Sequence, residues 1–317
     1  MKFKNKRIAI TGSSGFLGSH LTKYFINEGA DVFCLIRNES KNTDFSNVNK
    51  IYGNLINKKD VDFFIDRSQP DIFIHLAAQT QAHYAVKYPY LTFETNVVGT
   101  LNVLDSLRIY GDCKSIAIAS SDKTYGELET EEYLENHPLN GLYPYDSSKS
   151  ITDILCNSYR STYRMPIVTI RPCNIYGDGD LNYKRIIPAA IKSYVTGDQF
   201  VVRNGGNDVR EYIHIDDVVS AYSSIIEYGY DNEKYLTTPS FNVSSGDRIS
   251  TYNLFKLIQS HAGKINHIVE NCDNVEIKKQ AMNSDLLRIK TGWEPKYTLK
   301  ASISDVIQWY INILSKG

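Results

Sequence analysis

Residues 7–20 read Arg-Ile-Ala-Ile-Thr-Gly-Ser-Ser-Gly-Phe-Leu-Gly-Ser-His, or RIAITGSSGFLGSH. The first five are short and apolar, as a buried strand requires. Gly12, Gly15 and Gly18 follow at GxxGxxG spacing, and residues 19–28 predict a helix. A glycine turn between strand and helix lets the backbone approach a pyrophosphate. The helix N-terminus then presents free N–H groups and the positive end of its dipole. Outward from this turn, residues 31–36 (DVFCLI), 71–76 (DIFIHL), 115–120 (SIAIAS) and 166–170 (PIVTI) read as further apolar strands. Longer amphipathic stretches separate them, which implies crossover units and a parallel sheet covered on both faces.

After about Arg171 the rhythm is less regular. Residues 176–183 (YGDGDLNY) form a Gly/Asp/Asn loop, followed by a helix near 186–195 and a short strand at 199–203. The predicted architecture is α/β, a doubly wound parallel sheet over residues 1–171. A smaller mixed α/β C-terminal lobe over 172–317 interleaves with it across a soft boundary. A length of 317 residues fits two units at ~150 residues each.

Composition excludes several classes. Hydrophobic residues make up 42% and charged residues 22%, so the chain is not a disordered one. Lys and Arg total 35 against 36 Asp and Glu, a net charge of -1 that provides no overall positive field for nucleic acid or an anionic membrane. Cys34, Cys113, Cys156, Cys173 and Cys272 form no CxxC pair and no disulfide framework; buried thiols in a reducing cytoplasm are expected. The opening MKFKNKRIAIT is basic, but its apolar stretch is short and is broken at once by Gly and Ser, so it reads as a strand. No apolar run reaches the ~20 residues that span a bilayer. His214 opens HIDD without an accompanying ligand cluster, so a structural role is expected and no metal site is assigned.

Two further patterns carry chemistry. Tyr145-Asp146-Ser147-Ser148-Lys149 contains YxxxK, which on a helix puts Tyr145 and Lys149 on one face. The nearby ammonium is expected to favour the phenolate and lower the Tyr145 pKa. The 115–120 strand runs into Ser120-Ser121-Asp122-Lys123-Thr124-Tyr125-Gly126.

The glycine spacing, His75-Leu76-Ala77-Ala78-Gln79, Asn96 in TNVVGTLNVL, the YxxxK and the closing Gly292-Trp293-Glu294-Pro295 together resemble the extended branch of the short-chain dehydrogenase/reductase superfamily, the NAD-dependent epimerase/dehydratase family. The resemblance covers nearly the whole chain. It implies a Rossmann-like sheet and a tightly bound, recycled NAD or NADP. That cofactor would be held by Gly12, Gly15, Phe16, Leu17, Gly18, Arg37, Asn54, Leu55, Leu76, Ala77, Ala78, Gln79, Asn96, Tyr145 and Lys149. An acidic residue after the second strand would mark NAD, but Ile36-Arg37-Asn38 stands there. Arg37 either pairs with a 2′-phosphate or lies on the adenine, and the choice stays open. Asn54 replaces the Asp that relatives usually place near the adenine.

Within the family, Asp122-Lys123 after Ser121 resembles the CDP-glucose 4,6-dehydratases, whereas the end of the second strand, LIRN, resembles GDP-mannose dehydratases. The implied reaction converts a sugar nucleotide to its 4-keto-6-deoxy form. Tyr145 takes the C4 hydroxyl proton beside Ser121 and Lys149; Lys123 removes the C5 proton, and Asp122 protonates the departing C6 hydroxyl. A 4-epimerase or another sugar nucleotide oxidoreductase of the same fold needs no such pair, and a non-catalytic dinucleotide-binding regulator needs neither Tyr145 nor Lys149. For the substrate diphosphate, Arg210 is the first clamp, with Asn174, Arg185 and Arg203 beside it. CDP- or GDP-hexose is favoured. A homodimer through helices near residues 92–110 and 145–163 is expected.

Overall fold

The computed structural model describes residues 2–38, 45, 47–230, 234–271 and 277–315. Its strands are β1 (Arg7–Thr11), β2 (Asp31–Ile36), β3 (Asn49–Tyr52), β4 (Ile72–His75), β5 (Ser115–Ala119), β6 (Ile167–Pro172), β7 (Asn174–Tyr176), β8 (Phe200–Val202), β9 (Val209–His214), β10 (Ser240–Val243), β11 (Arg248–Ser250) and β12 (His267–Val269). Seven of them form one sheet in the order β10-β6-β5-β4-β1-β2-β3, and every pairing is parallel. The central strands are buried on both faces, which is why they are apolar without alternation. β3 is the edge strand and only half-buried; its sequence NKIY carries no apolar run, and the sequence reading passed over it.

Helices Phe16–Asn27, Ile215–Gly229 and Asp285–Thr291 cover one face, packing Leu21, Phe25, Tyr222 and Leu287 against Ile8, Ile10 and Ile74. Helices Lys58–Ser68, Gly99–Tyr110 and Pro144–Tyr163 cover the other, where Phe64, Leu104 and Cys156 meet Ala9, Phe73 and Ile118. Three elements of this sandwich come from beyond residue 171: β10, which extends the sheet past β6, the helix Asp285–Thr291 and the helix Ile215–Gly229. That helix is tied to Phe16–Asn27 by the Tyr24–Ser223 hydroxyl pair at 2.8 Å. The remainder builds a second core around Ile187, Ile191, Leu254, Phe255, Ile303 and Ile307. It carries the sheets β11-β9-β7 and β12-β8.

Strand order reverses between β1 and β4, with β2 and β3 on one side and β5 and β6 on the other. Such a switch leaves a crevice beyond the strands' carboxyl ends. Cys34, Cys156 and Cys173 are buried free thiols, Cys113 is only half-buried, and Cys272 lies outside the described residues. No helix among the described residues is long and apolar enough to cross a membrane.

Candidate active site

A cleft of about 1280 Å³ opens at this switch point and runs from the glycine turn to the second core. Gly12 has φ +76°, and a Cβ there would stand 2.6 Å from the Ala77 nitrogen. A Cβ on Gly18 would overlap the Gly12 carbonyl oxygen. The fold itself therefore requires these two glycines. Gly15 differs: its φ is -77°, and a Cβ would meet only the Gly12 oxygen, at 3.2 Å. What a side chain at Gly15 would fill is the cleft. Gly15 also caps the helix Phe16–Asn27 with no side-chain hydrogen bond and no acidic residue in the first turn, leaving the N–H groups and the dipole for an anion. The residues present thus fit a dinucleotide pyrophosphate.

Behind the turn a buried hydrogen-bond chain joins β1 to the YxxxK helix. The Thr100 hydroxyl donates to the Asn96 carbonyl at 2.6 Å, so His75 Nε2, 3.1 Å away, is the donor to Thr100. His75 Nδ1 is then the acceptor for the Thr11 hydroxyl at 2.7 Å. Burial drives the His75 pKa down to about 3, with the Lys149 charge acting in the same direction, so the ring is neutral. Asn96 accepts from the Gln79 N–H at 2.7 Å and donates to the Gln79 carbonyl at 3.0 Å and the Ser148 hydroxyl at 2.9 Å. It sits in a π-helical turn, Glu94–Val98, so residues 92–110 are not one regular helix as expected. The wider turn aims Asn96 inward. Gln79 and Asn96 do not line the cleft; they brace its wall, while the other candidate cofactor, catalytic and substrate residues line it.

Tyr145 and Lys149 project from one face of the helix Pro144–Tyr163. Lys149 donates to the Ala119 carbonyl at 2.8 Å. Burial lowers its pKa to about 8, while Asp153 and Cys156 act upward. Tyr145 corrects the sequence expectation. Burial raises its pKa well above the ordinary phenol value, the Asp122 carboxylate adds to the rise, and a hydrogen bond with Ser121 opposes it. The ammonium is committed to a backbone carbonyl, so it does not offset the loss of water around the phenol.

Ser121, extended, caps the short 3₁₀ turn Asp122–Tyr125 through its side chain. The Ser121 hydroxyl donates to Asp122 Oδ1 at 2.7 Å, and Lys123 Nζ stands 3.3 Å from Asp122 Oδ2. The Asp122 side chain is 5% exposed and that of Lys123 21%, and both line the cleft. One wall therefore gathers a phenol, a hydroxyl, a carboxylate and two amines.

Arg37 stands exposed just past the end of β2. Asn54 Oδ1 accepts from the Ile56 N–H at 3.3 Å, and Leu55 is buried against Gly99. From the second core, Arg185 is held by the buried Asp180 at 2.9 Å. Arg210 donates to the Val209 and Lys278 carbonyls at 3.1 and 3.2 Å, and Asn174 to the Glu211 carbonyl at 3.0 Å. Arg203 is exposed at the cleft rim. Lys184, Gln199 and Thr251 also line the cleft, although sequence reasoning passed over them; they lie beside loops or short strands with no periodic signal. His214 caps the helix Ile215–Gly229 by accepting from the Asp216 N–H at 3.3 Å, and it stacks on Tyr297. No cluster of three metal-ligating side chains occurs among the described residues.

The sequence model of one family, NAD dependent epimerase/dehydratase, matches residues 8–238. The chain belongs to the NAD-dependent epimerase/dehydratase family. A putative UDP-glucose 4-epimerase of Methanocaldococcus jannaschii is 27% identical over 309 residues, covering 96% of this chain and 98% of that protein. The CDP-glucose 4,6-dehydratase of Salmonella typhimurium is 23% identical over 338 residues, covering 97% and 91%. Among solved structures, dTDP-glucose 4,6-dehydratase of Bacillus anthracis in complex with NAD shares the fold, with a TM-score of 0.83 at 23% identity and 96% coverage of each chain. Epimerases and dehydratases thus stand side by side among the relatives of this family member, and the family's cofactor is NAD.

Proposed function

We propose that this family member is a sugar nucleotide 4,6-dehydratase, acting on a CDP- or GDP-hexose. The observation that carries the reading is the Asp122–Lys123 pair, 3.3 Å apart on the cleft wall beside Ser121 and Tyr145. Held at the glycine turn of Gly12, Gly15 and Gly18, NAD would supply the hydride acceptor for C4 and the hydride donor for C6, and would be recycled rather than consumed. Tyr145 takes the proton of the C4 hydroxyl, which Ser121 orients, only as its phenolate; burial and Asp122 oppose that form, and the positive charge of an oxidised nicotinamide beside it would favour it. The 4-keto group then makes the C5 hydrogen acidic. One proton passed from Lys123 to Asp122 across their contact turns the ion pair into an amine and a carboxylic acid, the two forms elimination needs. Lys123 takes the C5 proton as Asp122 protonates the C6 hydroxyl, which leaves as water. Lys123 returns its proton to C5 as the hydride reaches C6, and the proton that Tyr145 took from the C4 hydroxyl passes back to the Asp122–Lys123 pair, so the site is restored and the sum is substrate minus one water. Arg210, Arg185 and Arg203, with Asn174, supply the charge and donors for the diphosphate.

The deciding experiment incubates the protein with CDP-, GDP-, dTDP- and UDP-hexoses and reads absorbance in alkali. A 4-keto-6-deoxy product absorbs and an epimer does not. A second reading, 4-epimerisation, draws on the Methanocaldococcus jannaschii relative, and needs only Ser121, Tyr145 and Lys149. Epimer without alkaline absorbance would establish it instead. A thermal-shift panel of the same nucleotides identifies the base, because a ligand bound only by the native state raises apparent stability. The working unit we infer is a homodimer joined by the faces of Gly99–Tyr110 and Pro144–Tyr163, which leave Leu101, Ile109, Ile154 and Tyr163 exposed.

A further inference from the structure

We propose that Asp153 is a positioning residue that holds the Asp122–Lys123 turn and Lys149 in register. The inference rests on the reading of Ser121 to Lys149 as the catalytic centre, whichever sugar chemistry that centre performs. Tyr145, Lys149 and Asp153 follow at successive i, i+4 spacing on the buried face of one helix. Asp153 never reaches the cleft. Its carboxylate lies one turn behind Lys149, and all four of its acceptor positions are taken. Oδ1 accepts from Arg171 Nε at 3.1 Å and Nη2 at 2.8 Å. Oδ2 accepts from the Ser120 hydroxyl and from the Thr124 hydroxyl, the latter at 3.3 Å.

Those last two donors bracket the acid/base pair. Ser120 precedes the turn and Thr124 follows Asp122–Lys123, so one carboxylate oxygen fixes the turn on both sides. Arg171 extends the clamp, donating through Nη1 to the Tyr125 hydroxyl at 2.7 Å and to the Glu135 carbonyl at 3.0 Å. The Tyr125 hydroxyl in turn donates to Asn242 of β10 at 2.6 Å. The Asp153 and Arg171 side chains are 1% and 6% exposed. A planar guanidinium with two N–H groups converging on one carboxylate oxygen sets orientation as well as charge. The ionisable groups facing Lys149 are Asp153 and Cys156 on its own helix and His75 on β4, with Arg171 of β6 on the far side of Asp153. Of these only Asp153 brings a carboxylate, so it also keeps Lys149 protonated.

The test compares wild type, Asp153→Asn and Thr124→Val, each checked for folding by circular dichroism. The first readout is the pH dependence of NAD affinity by calorimetry, which needs no sugar. In wild type, affinity falls as Lys149 deprotonates near pH 8; in Asp153→Asn that midpoint moves about one pH unit lower, while Thr124→Val keeps it. The second is steady-state kinetics on whichever sugar nucleotide wild type converts. Both variants lose kcat, Asp153→Asn by about a hundredfold and Thr124→Val by about tenfold, with KM nearly unchanged. A folded Asp153→Asn protein with the wild-type midpoint, or with wild-type kcat, overturns the proposal. Should that variant not fold, Thr124→Val decides alone, and unchanged kcat overturns it. A wild type inert toward every sugar nucleotide defeats the proposed function but leaves the NAD titration to judge Asp153.

Discussion

Asp122 and Lys123 are consecutive residues, yet their charged groups meet at 3.3 Å. In a strand, neighbours point to opposite faces. Here the chain leaves β5 at Ala119 and turns at once into the 3₁₀ segment Asp122–Tyr125, which brings both side chains to the cleft wall. The pair tests directly. Asp122→Asn is isosteric and keeps the oxygen that accepts from Ser121, but it has no proton to deliver. Oxidation at C4 should persist and water loss should slow by about 10²–10⁴-fold. The check is a single-turnover experiment following nicotinamide reduction and alkaline product absorbance together. Parallel loss of both signals would remove Asp122 from the elimination step.

The glycines separate folding from binding. Gly18→Ala must displace the Gly12 carbonyl, and a loss of about 3 kcal/mol or more is expected in denaturant unfolding. Gly15→Ala meets only one oxygen at 3.2 Å, so its stability should stay within about 1 kcal/mol of wild type. Its NAD affinity should fall at least about tenfold, because the new methyl enters the pyrophosphate's space. Calorimetric titration of the folded variant reads this.

Lys149 makes the fold less stable where the enzyme works. Its pKa falls from 10.5 to about 8, so between those values the unfolded chain holds a proton the native state has released. Stability therefore rises with pH across that window and is lower by about 3 kcal/mol below it. Lys149→Met should unfold at higher denaturant concentration than wild type at pH 7, with a flatter profile from pH 8 to 10.5, and should be inactive. An unchanged profile would show that Lys149 is not the titrating group.

His75 gives the acid limb. Its folded pKa of about 3 lies below the ordinary 6.5, so the unfolded chain takes up a proton first as pH falls. Stability is complete above 6.5 and declines toward pH 3, by about 4 kcal/mol. His75→Gln, which cannot titrate, should lower stability at neutral pH yet lose less of it on acidification. Urea midpoints at several pH values supply the comparison.

The exposed apolar faces of Gly99–Tyr110 and Pro144–Tyr163 predict a dimer in solution. Ile154→Asp, which places a charge on the exposed face of Pro144–Tyr163, should yield a monomer by light scattering. A monomeric wild type at micromolar concentration would remove these faces as an interface.

Much of the architecture was legible locally. Apolar strands, the glycine turn and YxxxK each depend on residues adjacent in the chain, and burial on both faces leaves a plain mark on composition. β3 left none, because an edge strand does not need apolar residues. Nor did Asn96's π-helical turn, whose reason lies across the cleft wall in Gln79 and Ser148.

By itself the sequence determined a parallel sheet, the place where a pyrophosphate can approach it, and the residues able to move protons. Tertiary structure alone decided their state: Tyr145 raised rather than lowered, Lys149 lowered, Asp153 enclosed by four donors from Ser120, Thr124 and Arg171. The reason is one of range. Steric and burial patterns act between chain neighbours, whereas desolvation and charge are set by atoms that only the folded chain brings together.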